Sequence, residues 1–327
     1  MTAVLEVQNL EVSFASAAGS IRAVRGVSFV VEHAETLAIV GESGSGKSVT
    51  ALSLMRLHNA ERTTVSGSIK FKGTELLDAP ETQMRSVRGN AIGMIFQEPM
   101  SSLNPLMKVG DQIAEAILLH QDMSGSEARR RALKLLIQVG IADAERRMRE
   151  YPHQLSGGMR QRVMIAMAMA CDPEILIADE PTTALDVTVQ AQILDLMREL
   201  KTRTGSSIVI ITHDLGVVSE LADRVVIMYA GTKVEEGLTE EIFSHPAHPY
   251  TLGLLTAIPS LDRSRHDGPL TEIPGHVPSP SQIRAGCSFA ARCNRSSSIC
   301  FESEPKLEAV APGHLAACHH KRGKPFP

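Results

Sequence analysis

Long apolar runs are missing from this 327-residue chain. A membrane-spanning helix needs roughly 18–20 consecutive apolar residues. The longest candidate, residues 163–178, is interrupted by Asp172, Pro173 and Glu174. The first ten residues, MTAVLEVQNL, lack the positive start and apolar stretch of a secretory signal. The sequence therefore predicts a chain kept in the cytosol, meeting a membrane only through partners. An excess of one charge is missing too. Lys and Arg number 33 against 37 Asp and Glu, so no global basic field exists and nucleic acid is not an expected partner. Repeats at a period of roughly 20–50 residues are absent, which excludes a solenoid. Cysteine is scarce, at five residues, and four of these (Cys287, Cys293, Cys300 and Cys318) crowd the C-terminal end. In a reducing compartment such a cluster points to a metal site rather than a disulfide framework. Cys171 stands alone on an apolar helix end and reads as a buried small hydrophobe.

What is present is an ordinary apolar share of 43%, enough for a sizeable core, over a length that predicts about two domains. Residues 4–31 alternate as short strands, with Leu5, Val7, Leu10 and Val12 half-buried. The apolar run 36–40, the glycine-rich turn 41–46 and the helical pattern 47–57 form a strand–turn–helix unit. Residues 69–71 and 91–96 predict further strands, and helix signals dominate from 105 to about 169. Buried strands are expected at 175–178, 208–211 and 225–228, with a helix over 189–200. Strands alternating with helices imply a largely parallel sheet. Beyond Pro259, the prolines at 259, 269, 274, 278 and 280 predict a linker or irregular appendage leading to the cysteines.

Gly41-Glu42-Ser43-Gly44-Ser45-Gly46-Lys47-Ser48 fits G-x-x-x-x-G-K-[ST] between a predicted strand and a predicted helix. Its glycines let backbone N–H groups converge on phosphate oxygens, and the helix adds its positive end. Lys47 would reach the β- and γ-phosphates of ATP and the Ser48 hydroxyl would meet Mg²⁺. The strand 175–178 ends in Asp179 and Glu180. Alone such a pair is often a solvated turn. Beside a phosphate loop, Asp179 reads as an Mg²⁺ ligand and Glu180 as the residue that polarises an attacking water. Leu155-Ser156-Gly157-Gly158-Met159 opens another helix with exposed N–H groups. One chain needs only one γ-phosphate site, so Ser156, Gly157 and Gly158 read as serving a neighbour's nucleotide.

With these motifs in this order, the chain resembles the nucleotide-binding subunits of ABC transporters over residues 4–255. Residues 41–48 match the Walker A, Gln97 the Q-loop, 155–159 the signature, with Met159 in place of glutamine, and 175–180 the Walker B. Residues 184–186 match the D-loop and His213 the H-loop. The resemblance implies that Phe14 stacks on adenine and Gln97 touches Mg²⁺ or the water. It also implies that His213 contacts the γ-phosphate, and that Asp186 organises a dimer interface. Residues 97–105, Tyr151-Pro152-His153-Gln154 and His248-Pro249-Tyr250-Thr251 resemble the dipeptide, oligopeptide and nickel importers, the dipeptide subunits most.

The implied fold is α/β: a P-loop NTPase domain over 1–258, with a RecA-like parallel sheet, an antiparallel β region and a helical subdomain at about 103–171. A Cys-rich irregular extension follows over 259–327. The implied partners are a second, different ATPase subunit, two membrane permease subunits and a periplasmic substrate-binding protein. The implied place is peripheral, on the cytoplasmic face of the inner membrane. The implied work is ATP-driven peptide import, with nickel or glutathione import, or a soluble non-transport ATPase, as alternatives. The family also suggests a 4Fe–4S cluster on Cys287, Cys293, Cys300 and Cys318. The spacing itself leaves zinc or unligated thiols open, with His319 and His320 as possible substitute ligands.

Overall fold

The computed structural model describes residues 3–16, 19–183, 185–258, 272–279, 282–283 and 285–320. In chain order the elements begin with β1 (Ala3–Ser16), β2 (Gly19–Glu32), β3 (Thr36–Val40), α1 (Lys47–Leu54), β4 (Thr63–Phe71) and β5 (Thr74–Glu75). Then come α2 (Glu81–Val87), β6 (Ile92–Ile95), α3 (Pro99–Ser102), α4 (Val109–His120), α5 (Gly125–Gln138), α6 (Ala144–Arg147) and α7 (Gly157–Ala168). The middle of the chain adds β7 (Ile175–Asp179), α8 (Val187–Thr204), β8 (Ser207–Thr212), α9 (Leu215–Leu221), β9 (Arg224–Tyr229) and β10 (Thr232–Leu238). Last are α10 (Thr239–Ser244), α11 (Pro249–Thr256), α12 (Ser298–Glu302), β11 (Glu308–Ala311) and β12 (His314–Ala316). No helix among the described residues is long and apolar enough to cross a membrane. Pro259, Pro269 and Pro280 lie outside the described residues, as does Ala184.

The chain divides into two compact units, each discontinuous in sequence. One comprises Met1–Val4, Val31–Thr36 and Asp78–Ile211. Its strands β6, β7 and β8 are parallel, Ile92 facing Ile175 and Ile175 facing Ser207. All three are buried along their length, which is why they read as unbroken apolar runs. Around them α4, α5 and α7 form the helical part. The α5 start is fixed by a capping box, in which Ser124 and Glu127 satisfy each other's backbone N–H. The α8 helix starts on Asp186, whose carboxylate accepts from Val189 N–H, and stops at Gly205 in left-handed backbone. Cys171 is buried as expected, its thiol reaching Ala116 O at 3.6 Å.

The other unit comprises Leu5–Val30, Leu37–Leu77 and Thr212–Pro327. The antiparallel β region follows the order β2-β1-β4-β5. The buried residues Leu5 and Val7 are two apart, as are Leu10 and Val12, but Val7 and Leu10 are three apart. A bulge between Gln8 and Glu11 absorbs that break and returns the same face to the core. Gly67 lies opposite the bulge at φ 107°, where a Cβ would stand 2.5 Å from Asn9 O. Elsewhere in this unit β3 and β9 are parallel, with Leu37 facing Arg224. A tight turn through Ala230 and Gly231, both at positive φ, brings β10 back antiparallel to β9.

The tail departs from the expected irregular appendage. Its strands β11 and β12 form a hairpin, and β12 pairs with β10, Glu235 facing Ala316. This junction is held by a buried polar network. The Glu235 carboxylate, fully buried, accepts from Ala247 N–H at 2.6 Å and His248 N–H at 3.0 Å and pairs with His314 Nε2 at 2.7 Å. Such a group is tolerated inside only because its bonds are made.

His248 caps α11, its Nδ1 accepting from Tyr250 N–H at 3.1 Å. Burial pushes its pKa down to about 4, against the attraction of Glu235. The folded imidazole is therefore neutral while the unfolded one binds a proton near 6.5. Stability from this residue is complete above about pH 6.5 and drains away as pH falls towards 4. The difference amounts to about 3 kcal/mol. Asparagine can still cap the helix but cannot titrate. Urea unfolding between pH 7 and 4.5 should show a shallower loss of stability for His248→Asn than for the natural chain. Equal slopes would remove His248 as the cause.

Candidate functional site

In the second unit, residues 41–46 join β3 to α1. Gly44 and Gly46 sit at φ 78° and 96°, which turns successive N–H groups inward. At Gly46 a Cβ would stand 2.7 Å from Ala23 O, and at Gly41 it would stand 2.2 Å from Met228 O. Both positions therefore admit only glycine, and they seat the loop against its neighbours. Gly231 N–H donates to Ser45 O at 3.0 Å. Lys47 is buried and donates from Nζ to Gly41 O at 2.7 Å and Glu42 O at 3.0 Å, so its ammonium lies back over the loop. The Ser45 hydroxyl is buried with no hydrogen-bond partner among the described residues, a polar atom suited to an anion's oxygen. Ser48 is in the first turn of α1. Ser43 is exposed at the loop's outer turn.

Phe14, at the end of β1, packs edge-on against His58 at 5.7 Å between centroids. His213 is exposed after β8, and Asp214 behind it caps α9 by accepting from Gly216 and Val217 N–H.

In the first unit, β7 carries buried Asp179 and then Glu180. Glu180 has φ 47°, an uncommon conformation for a residue with a side chain, costing about 1–3 kcal/mol. Its N–H donates to Ile211 O at 2.8 Å. Its Oε2 accepts from Gln97 Nε2 and from Thr183 Oγ1, both at 2.9 Å. The structure thus brings together Gln97 and Glu180, 83 positions apart. Thr183 is a partner that sequence reasoning missed. Its position three after Glu180 in a turn was the available signal.

Ser156 caps α7, its hydroxyl accepting from Met159 N–H at 3.4 Å, and Gly157 and Gly158 form the first turn. Gly157 is open to solvent and Gly158 lies beside Val189. The N–H groups in the first turn of this 12-residue helix have no intrahelical partner.

In the tail, Cys287, Cys293, Cys300 and Cys318 are free thiols that act on one another electrostatically. Burial, with repulsion among them, pushes Cys287 up to about 11 and raises Cys293 and Cys318. Backbone N–H groups of Phe289, Arg295 and His320 point at the sulfurs of Cys287, Cys293 and Cys318 in turn. Still, no group of three or more His, Cys, Asp or Glu among the described residues is gathered closely enough to hold a metal ion. The cysteines are neighbours rather than the closed ligand set the sequence led us to expect. His320 and His319 bond instead to Ser297 and Ser303.

Residues 24–183 match the ABC transporter family, and residues 234–300 match the oligopeptide/dipeptide transporter C-terminal region. The dipeptide transport ATP-binding protein DppD of Lactococcus lactis is 55% identical, covering 96% of this chain and 89% of its own. The oligopeptide transport ATP-binding protein AppD of Bacillus subtilis is 50% identical over 97% of both chains. Among solved structures, the ATP-binding cassette MJ0796, a dimer bound to ADP and Pi, is 29% identical with a TM-score of 0.66. It covers 72% of this chain and 98% of its own.

Proposed function

The chain belongs to the ATP-binding subunits of peptide-type ABC transporters, and from that premise we propose that it binds and hydrolyses ATP to drive import of dipeptides or oligopeptides. The observation that carries this reading is the near full-length likeness to such subunits in a chain that keeps both the glycine loop 41–48 and the Gln97–Glu180 pair.

Each residue then has a task. The N–H groups of residues 41–46 and the Lys47 ammonium hold the triphosphate, and Phe14 supplies a ring face for adenine. Ser48, Asp179 and Gln97 would hold Mg²⁺, which when bound neutralises phosphate charge. Glu180 orients a water in line with the γ-phosphate and takes its proton as the bond to the leaving diphosphate breaks. Gln97 and Thr183 keep its carboxylate aimed. His213 steadies the γ-phosphate and the water. Ser156, Gly157 and Gly158 meet the nucleotide of a second ATPase subunit, a different chain, so that ATP closes the pair and hydrolysis reopens it. The solved dimer of MJ0796 bound to ADP and Pi supports the pairing of two such ATPases. The helical subdomain passes the motion to two permeases on the cytoplasmic face of the inner membrane. A periplasmic binding protein delivers the peptide.

Capture of the tagged chain from detergent-solubilised membranes of its own cell tests this reading. The expected co-purifying set is two permeases and a related ATPase, with ATP turnover stimulated by peptide-loaded binding protein. Capture without permeases would refute it.

The cysteine tail we read as the seat of a 4Fe–4S cluster. Four free cysteines at this end of the chain and the N–H groups aimed at three of their sulfurs support this, because such N–H bonds stabilise thiolate sulfur. Anaerobic purification should yield about four iron and four sulfide per chain. Zinc instead, or no metal in a normally folded protein, would end the cluster reading.

A further inference from the structure

Arg292 lies in the cysteine-bearing tail, at the end of the short 3-10 turn Ala290–Arg292 and directly before Cys293. Its guanidinium reaches Glu42, the second residue of the glycine loop, in a two-pronged pair. Nη1 stands 2.6 Å from Oε2 and Nη2 stands 3.0 Å from Oε1. The arginine side chain is only 6% exposed. Three backbone or ring partners fix it further: Pro274 O at 2.8 Å, Ile273 O at 3.2 Å and the Tyr229 hydroxyl at 3.4 Å. It also stands over the rings of Tyr229 and Phe289. From the other side, Tyr250 accepts the Glu42 N–H through its hydroxyl at 2.8 Å. Tyr229, Tyr250 and Phe289 pack on one another, with centroids 4.7 to 5.4 Å apart.

The glycine-loop pattern accepts any residue at position 42. A carboxylate there is awkward, because a free negative charge beside a phosphate cradle repels what the cradle binds. Arg292 neutralises that charge and fixes its direction. The Tyr250 hydroxyl fixes the adjoining peptide plane.

We propose that Arg292 is a positioning residue for nucleotide binding, through which the cysteine-bearing tail holds the phosphate loop in its binding shape. This rests on residues 41–48 being the triphosphate site. Lysine cannot substitute fully, since a point charge does not reproduce a fork-to-fork pair.

The test uses the full chain and a fluorescent ATP analogue with Mg²⁺. Affinity and melting temperature are measured for the natural chain, Arg292→Ala, Arg292→Lys, Glu42→Gln, and Glu42→Gln combined with Arg292→Ala. Arg292→Ala should weaken binding by the folded protein about tenfold beside a lowered melting temperature, and Arg292→Lys several-fold with a smaller drop. In the Glu42→Gln background, Arg292→Ala should cost clearly less, because the charge it guards is gone. A purely structural Arg292 would lower the melting temperature in every background and leave the affinity of the folded protein unmoved, and that result overturns the proposal. If Arg292→Ala fails to fold, Arg292→Lys decides: affinity equal to the natural chain overturns it. Lys47→Ala separates the two readings. If that variant binds like the natural chain, the loop assignment fails. If it loses binding while the Arg292 variants keep theirs, only the present inference fails.

Discussion

Glu180→Gln should leave ATP binding intact and lower turnover by about 10²–10⁴-fold, the range that a positioned general base contributes. The geometry makes this a narrow substitution. Glu180 Oε2 accepts from Gln97 Nε2 and from Thr183 Oγ1. A glutamine side chain can present its carbonyl oxygen to the same two donors, so the rotamer survives. The backbone at φ 47° is unaffected by the exchange. What disappears is the negative charge and the capacity to take a proton from water. The nucleotide should therefore stay bound and unhydrolysed, and the ATPase pair should stay closed. Steady-state phosphate release from the assembled transporter, beside nucleotide affinity and native mass of the ATPase pair, reads all three. Near-normal turnover would remove Glu180 from its assigned role. Thr183→Val offers a milder comparison, because it frees one side of the carboxylate without neutralising it.

The second large effect is at Lys47. Its ammonium is buried and bonded to Gly41 O and Glu42 O. A triphosphate entering the loop offers it anionic oxygens in place of neutral carbonyls, and charge-assisted bonds of that kind are the stronger. Lys47→Ala should weaken ATP binding by about 10–100-fold, the equivalent of roughly 1.5–3 kcal/mol. It should also lower stability without nucleotide, by about 1 kcal/mol, because two loop carbonyls lose their donor. Titration of a fluorescent nucleotide and thermal melting with and without ATP separate the two losses. Unchanged affinity would argue against the loop as the triphosphate site.

Much of the fold was legible because its signals are local. The glycine loop is eight consecutive residues in which spacing and residue type carry the chemistry, and β3 and α1 stand on either side of it. Strands β7, β8 and β9 were legible because burial on both faces leaves an unbroken apolar run. The helix expected to run from 47 to 57 stops at Leu54, since Arg56 turns into left-handed backbone at φ 49°. What escaped was non-local. Strand β10 carries Lys233, Glu235 and Glu236, and no hydropathy pattern marks such a segment as buried. The structure hides these charges by pairing Glu235 with His314 and Lys233 with Glu236. Likewise β11 and β12 are too short and polar to announce themselves and become strands only by pairing. Gln97 and Glu180 stood out singly at motif positions, but the bond between them was not legible. Arg292 carried no signal, because its value lies in a partner 250 positions away.

The pairing of β12 with β10 has a consequence for solubility. An unpaired sheet margin offers a row of open backbone groups to any stray strand, a standing invitation to aggregation. Here the hairpin caps β10 and moves the margin outward to β11, four residues long and begun by an exposed glutamate. A chain truncated ahead of Glu308 would bare the longer, seven-residue margin of β10 together with the buried Glu235. The tail thus acts as a selvedge, and trimming it for convenience would invite the fabric to fray into its neighbours.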